Sequence, residues 1–362
     1  QIFQSSFSIQ VVNQCLNDHP SFVQKFIGFF KDKFSSTLTK QKRLSTISKS
    51  IEQLTKYIKG VSSITDDQIL RRLLSLADAC IRTNLFIRQN DMPLSFKFNC
   101  SKINGIPTPI PYKETFVFDH ILEGVHIRFG EVARGGLRWS DRINDYRTEV
   151  LDLVKTQQTK NAVIIPVGSK GGFVIKDKLI ASDKDAGVSQ YKRFIKSMLQ
   201  ITDNLDKDAG INEDLITYDD FDPYFVVAAD KGTATFSDIA NDVSLTNKFW
   251  LGDGFASGGK NGYDHKKVGI TAKGAWECCK LHFNKNDINP EKSEITVAGV
   301  GDMSGDVFGN GMLLSKSIKL VAAFNHLHIF IDPNPDPQKS WSERNRLFKL
   351  KRSQWTDYQG IS

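Results

Sequence analysis

The chain has 362 residues, 40% of them hydrophobic and 25% charged, with a formal net charge of +7 and a pI near 9.0. That is a globular composition with room for two or three domains; it excludes a mainly disordered chain, and no apolar run approaches the roughly 20 residues of a membrane span. The Lys and Arg residues are dispersed among 41 acids rather than clustered with exposed aromatics, which makes a nucleic-acid binder a weak third option and fits steering of small anionic ligands.

Phe22, Phe26, Phe29, Phe30 and Phe34 recur at helical spacing and predict one apolar helix face. Thr65 and Gln68 stand in capping-box spacing, with Asp66 and Asp67 in the first turn, and announce a second helix through ILRRLLSLADACIRTNLF. The basic stretch from Lys40 to Lys59 between them reads as a solvated helical connector. Residues 1–90 therefore form a helical segment with nothing catalytic in it. Cys15, Cys80, Cys100, Cys278 and Cys279 include no C-x-x-C pair, so they are expected to be reduced thiols of a cytoplasmic protein.

After Pro93 the period changes to two. LSFKFN, ETFVFD and GVHIRFG alternate as half-buried strands do, separated by a loop that carries Pro107, Pro109 and Pro111. Arg134 and Arg138 then flank a Gly-Gly pair, a flexible turn with two cations that could clamp a carboxylate. Tyr146, Val150, Leu153, Val154 and Gln157 form a helix face leading to Lys160, followed by a strand over Ala162–Val167 and a Gly-rich loop from Gly168 to Gly172 that holds Lys170. A lysine among glycines, near other cations, is a site for an anion with a carbonyl, although turn punctuation with a solvated lysine gives the same pattern.

Past the helical run YKRFIKSMLQITDNL, Asp219, Asp220 and Asp222 match no calcium loop and read as solvated acids. The strand PYFVVAAD ends at Asp230, placed either to point into a cleft or to cap the next helix. The Gly-heavy stretch that follows offers Ser257, Lys260, His265 and Thr271 as polar contacts. No second His or Cys is read at ligand spacing, so no metal is expected. Finally, EITVAGVGDMSGDVFGNGMLLSKSIKL reads as strand, Gly-rich turn and helix, the order a dinucleotide fold requires. Its cofactor-binding turn is Gly299, Gly301, Asp302, Met303, Ser304 and Gly305, the last glycine standing one position late. HLHIFID, taken as the second strand, delivers Asp332, an acid that would accept from a ribose and favour NAD over NADP, about 30 residues past the turn rather than about 20.

RGGLRWSDR and TEVLDLVKTQQTKNAVIIPVGSKGGF, together with ADKGTATFSDIAN, FWLGDGFASGG, GYDHKK and GVGDMSGDVFGNGMLLS, resemble the large bacterial NAD-specific glutamate dehydrogenases over nearly the whole chain. The resemblance implies an α/β fold with a glutamate dehydrogenase substrate domain over residues 91–275 and an incomplete Rossmann-like NAD-binding domain over 276–362. It implies Lys170 and Asp230 as catalytic residues, Arg134 and Arg138 on the side-chain carboxylate of glutamate, Lys160 on its α-carboxylate and Thr271 on the substrate side. Arg134 stands where smaller members carry lysine, the segment from Lys160 to Lys170 is two residues shorter, and Asp230 lacks the Pro and Gly of the family's P-A-G-D. The activity implied is NAD-dependent oxidative deamination of L-glutamate to 2-oxoglutarate. With only part of a dinucleotide fold legible, the chain is expected to be a fragment of a larger or split polypeptide, inactive alone, that forms homo-oligomers or joins a downstream chain. The alternative is an inactive remnant that only binds a partner chain.

Overall fold

The computed structural model describes residues 7–88, 91–161, 167–205, 214–233, 235–262, 265–301, 303, 307–325, 327–350 and 353–359. They divide into two compact units, residues 1–261 and 262–362.

The first unit opens with four helices, α1 (Ile9–Asp18), α2 (Pro20–Phe34), α3 (Lys40–Lys59) and α4 (Ile64–Ala79). Phe22, Phe29, Leu54, Ile58, Leu70 and Leu74 close their common core, so the basic α3 is a packed element and not merely a connector. The N-cap of α4 is Ser63, whose hydroxyl accepts from the Asp66 amide, two residues earlier than the Thr65 box expected. The expected continuation of α4 through CIRT is overturned: Cys80–Thr83 is strand β1, buried along its whole length.

β1 starts a seven-stranded sheet with β2 (Leu94–Asn99), β3 (Lys113–Phe118), β4 (Leu122–Arg128), β5 (Ala133–Arg134), β6 (Leu137–Trp139) and β7 (Val167–Ile175). β1 to β4 and β7 pair antiparallel in the order 1-2-3-4-7, whereas β5 and β6 both lie parallel against β7. Helix α5 (Tyr146–Asn161) covers one face through Tyr146, Val150, Leu151 and Val154. After the short α6 (Lys178–Ser182), α7 (Lys184–Leu199) and α8 (Ser237–Thr246) fill the other face with Tyr191, Phe194, Ile195, Met198, Ala240 and Val243.

Two expectations change here. The expected strand over 162–167 lies, but for Val167, outside the described residues, and Gly168 to Gly172 is no loop but the middle of the nine-residue β7. The glycines are there because neighbours leave no room: a Cβ on Gly171 would fall 2.2 Å from Leu137, and one on Gly135 would fall 1.5 Å from the Ser169 carbonyl oxygen. The stretch PYFVVAAD is not a regular strand either; Val227 makes a single parallel bridge to Ala256.

The second unit holds α9 (His265–Val268), α10 (Ile270–Asn284), β8 (Ile295–Val300), β9 (Ile318–Phe324), β10 (Ile329–Ile331) and α11 (Pro337–Lys349). Helix α10 runs across the boundary that the sequence reading sets at 275 and 276. β8 and β9 pair parallel and β10 pairs antiparallel to β9, over a core of Ile295, Phe308, Ile318, Leu320, Phe330 and Trp355. SIKLVAAF, read with the preceding helix, is thus the second parallel strand, and the expected helix after the Gly-rich turn is, among the described residues, a π turn over Val307–Gly311.

Candidate active site

Lys170 lies at the centre of β7, which is flanked by β4 on one side and by β5 and β6 on the other. Its neighbour across β6 is Arg138, which pairs in register with Gly172. Beyond β6 the chain returns as residues 228–231: the Leu137 amide donates to the Ala228 carbonyl at 2.9 Å and the Trp139 amide to the Lys231 carbonyl at 3.1 Å. Asp230 is held between those two bonds, beside Gly136, whose missing side chain admits it; a Cβ there would stand 3.1 Å from the Asp230 Cβ.

The result is a compact charge cluster. Lys170 Nζ lies 2.5 Å from Asp230 Oδ2. The Arg138 guanidinium donates to both Asp230 oxygens at 3.3 Å and to Glu149 Oε1 at 2.7 Å, while the Ser140 hydroxyl donates to Glu149 Oε2 at 2.5 Å. Burial pushes the Asp230 carboxyl up, but the bonds from Lys170 and Arg138 outweigh it and hold the carboxyl below its ordinary range. Asp230 does not cap α8, which has no side-chain cap.

Arg138 is therefore already spanned by two protein carboxylates. Arg134, on β5, donates to the Ser257 hydroxyl at 3.3 Å. Lys160 is in the last turn of α5, and its side chain lies outside the described residues. That end of α5 runs over the lysine's strand, since a Cβ on Gly168 would meet the Gln157 backbone at 2.8 Å.

In the second unit, Thr271 is exposed at the start of α10. Gly299 and Gly301 sit at the carboxyl end of β8, where the Gly301 amide donates to the Phe324 carbonyl and its own carbonyl accepts from the Trp355 indole. Met303 is buried in the hydrophobic core rather than offered to a ligand. Asp302, Ser304 and Gly305 lie outside the described residues. Asp332 follows β10, and because β10 runs antiparallel its amide donates to Val321, partway back along β9 and away from the carboxyl ends of the parallel pair.

Residues 53–361 match the family described as bacterial NAD-glutamate dehydrogenase, catalytic domain. The chain belongs to this family. It is 51% identical over 352 residues to the NAD-specific glutamate dehydrogenase of Halomonas elongata, covering 95% of this chain and 22% of that protein. It is 49% identical to the proteins of the same description from Mycobacterium tuberculosis, over 376 residues, and Pseudomonas aeruginosa, over 365, covering 97% of this chain and 23% and 22% of theirs. The chain thus spans less than a quarter of the length of these glutamate dehydrogenases.

Sequence reasoning missed Glu149 and Ser140. An acid in the first turn of a helix is the ordinary complement of the helix dipole, so Glu149 gives no signal of its own; only the fold carries Arg138 over it.

Proposed function

We propose that this chain carries the substrate-side chemistry of NAD-dependent oxidative deamination of L-glutamate to 2-oxoglutarate and ammonia, within a longer cytoplasmic, oligomeric polypeptide. The observation that supports this most is the Lys170 to Asp230 contact of 2.5 Å, which joins a lysine on β7 to a carboxylate on the segment bonded along β6 as a pair fit for proton transfer.

Arg134 and Lys160 are the cations assigned to the two substrate carboxylates, and Arg138 keeps Asp230 in place. NAD, when bound, accepts the hydride that leaves the α-carbon. The parallel β8 and β9 with glycines at their carboxyl end fit the cofactor's pyrophosphate there; the set-back position of Asp332 does not fit a ribose contact. Loss of hydride leaves the iminium of glutamate. Asp230 first takes a proton from Lys170 Nζ across their contact, water adds at that carbon as the free amine of Lys170 accepts its proton, and Asp230 gives the proton it holds to the departing nitrogen; ammonia then leaves with the hydroxyl proton as ammonium and the ketone forms.

The test is a full-length enzyme containing this sequence, assayed for NAD reduction with glutamate beside leucine and phenylalanine. Glutamate-dependent turnover that Lys170→Ala abolishes is the expected result; preference for another amino acid, or an unaffected variant, overturns the reading. An inactive remnant is disfavoured because Lys170 and Asp230 are both present and in contact.

A further inference from the structure

We propose a divalent transition-metal site in the N-terminal helical bundle, formed by the Cys15 thiolate, the His19 imidazole and the Asp66 carboxylate, with Zn2+ as the ion it fits best. Their ligand atoms all lie within 4.8 Å of one another, and His19 Nε2 is 3.4 Å from Asp66 Oδ2. No metal-ligand spacing is read in the sequence, yet Cys15-x-x-x-His19 is one: four positions apart, the two side chains project from the same face at the end of α1. Asp66 comes from the first turn of α4, 47 positions after His19, so only the folded bundle assembles the set.

The surroundings suit a cation. The Tyr57 hydroxyl lies 3.1 Å from His19 Nδ1, which fixes the ring and directs Nε2 toward Asp66, as an outer partner does for a metal-binding imidazole. Cys15 is buried while His19 and Asp66 are partly exposed, leaving an entry from solvent on their side. A Cys-His nucleophile is a poorer reading, because both ring nitrogens of His19 already face other partners, Nδ1 the Tyr57 hydroxyl and Nε2 the Asp66 carboxylate. Sulfur, nitrogen and oxygen donors together select Zn2+ or Co2+ over the oxygen-seeking Mg2+ and Ca2+. Binding exchanges the Cys15 thiol proton for the metal and releases it to water. Three protein ligands leave a fourth position for a water, and the ion would tie the junction of α1 and α2 to α4. None of these residues belongs to the Lys170 cluster.

The test is titration of the metal-free chain with Co2+ and then Zn2+. We expect one Co2+ per chain with a thiolate-to-cobalt charge-transfer band, displaced by Zn2+, and a thermal midpoint raised by several degrees at saturating Zn2+. Cys15→Ser should abolish the band, and His19→Gln and Asp66→Asn should each weaken binding by at least about 10-fold with helix content unchanged. A band that persists in Cys15→Ser and disappears when the adjacent exposed Cys278 and Cys279 are replaced by serine overturns the site, as does the absence of stoichiometric binding. If Cys15→Ser fails to fold, unchanged affinity in both His19→Gln and Asp66→Asn overturns it equally.

Discussion

Asp230 accepts from Lys170 at 2.5 Å and from Arg138 on both oxygens, so one carboxylate sits between two cations. The two contacts should separate kinetically. In a complete enzyme of this sequence, Lys170→Ala and Asp230→Asn should each lower kcat by at least about 100-fold with the fold intact, as loss of an acid or base does. Arg138→Ala should also act on kcat, with little change in the glutamate KM, because its guanidinium is spanned by Asp230 and Glu149. A KM rise with unchanged kcat in Arg138→Ala would return it to the substrate. Arg134→Ala should show the opposite split. Lys170 and Asp230 stood out in the sequence as candidates, a lysine among glycines and an acid after an apolar run being local signals, but their contact was not legible there. Nor was the neutralisation of Arg138, since Glu149 lies 11 positions away on a different element and meets it only through the turn from β6 into α5.

At the scale of elements, each of the first four strands contributes one buried cation to a common face: Arg82 from β1, Lys97 from β2, Lys113 from β3 and Arg128 from β4. Asp203, Asp219 and Asp222 answer them. Lys97 Nζ is 2.6 Å from Asp222, Lys113 Nζ 2.7 Å from Asp219, Arg82 contacts Asp203 at 2.8 Å and Asp219 at 2.6 Å, and Arg128 also pairs with Asp222. The reading of Asp219 and Asp222 as solvated acids is therefore overturned; alternation in β2 to β4 revealed strands, but not which chain segment would cover their charged positions. Asp222→Ala leaves buried cations uncompensated and should lower unfolding stability by about 3–5 kcal/mol, read from the urea midpoint. Burial pushes both carboxyls up, but Lys97, Arg82 and Arg128 outweigh it, so their folded values lie below the unfolded ones. Stability from this source is thus complete above the unfolded carboxylate value near 4 and is lost as pH falls below it. The difference between wild type and Asp222→Ala should shrink below about pH 4, and a constant difference down to pH 2 would remove the ion pairs as its cause. The glycine between β5 and β6 is set by close approach to β7: Gly135→Ala drives a methyl into the Ser169 carbonyl and should cost about 1–3 kcal/mol while displacing Lys170.

At the scale of the molecule, the second unit presents a three-stranded sheet with one face buried and the other open. Phe330 points into the core, whereas its neighbours Ile329 and Ile331 are 79% and 60% exposed, with Val300 at 61% and Phe324 at 50% on the same sheet. A doubly wound fold would need both faces covered, and HLHIFID was read as a strand of it; its antiparallel direction was not, because the turn signal at Asn325, whose side chain accepts from the Leu327 and His328 amides, lay inside a stretch read as following a helix. Among its described residues the second unit supplies one parallel strand pair for a dinucleotide, while the nicotinamide half of such a fold is built on further strands. Expressed by itself, this chain should bind a hydrophobic dye and self-associate through the open sheet, because unpaired edges and contiguous apolar surface favour both. Replacing Ile329 and Ile331 together by lysine should reduce the dye signal and shift size-exclusion elution toward the monomer, with helix content unchanged, since neither side chain is in the core. The same polypeptide should give no glutamate-dependent NAD reduction, while a longer polypeptide that includes it should. A dye-silent monomer before substitution would mean that the open face is not apolar enough to drive association, and robust turnover by the 362 residues alone would mean that no further strands are needed to bind the cofactor.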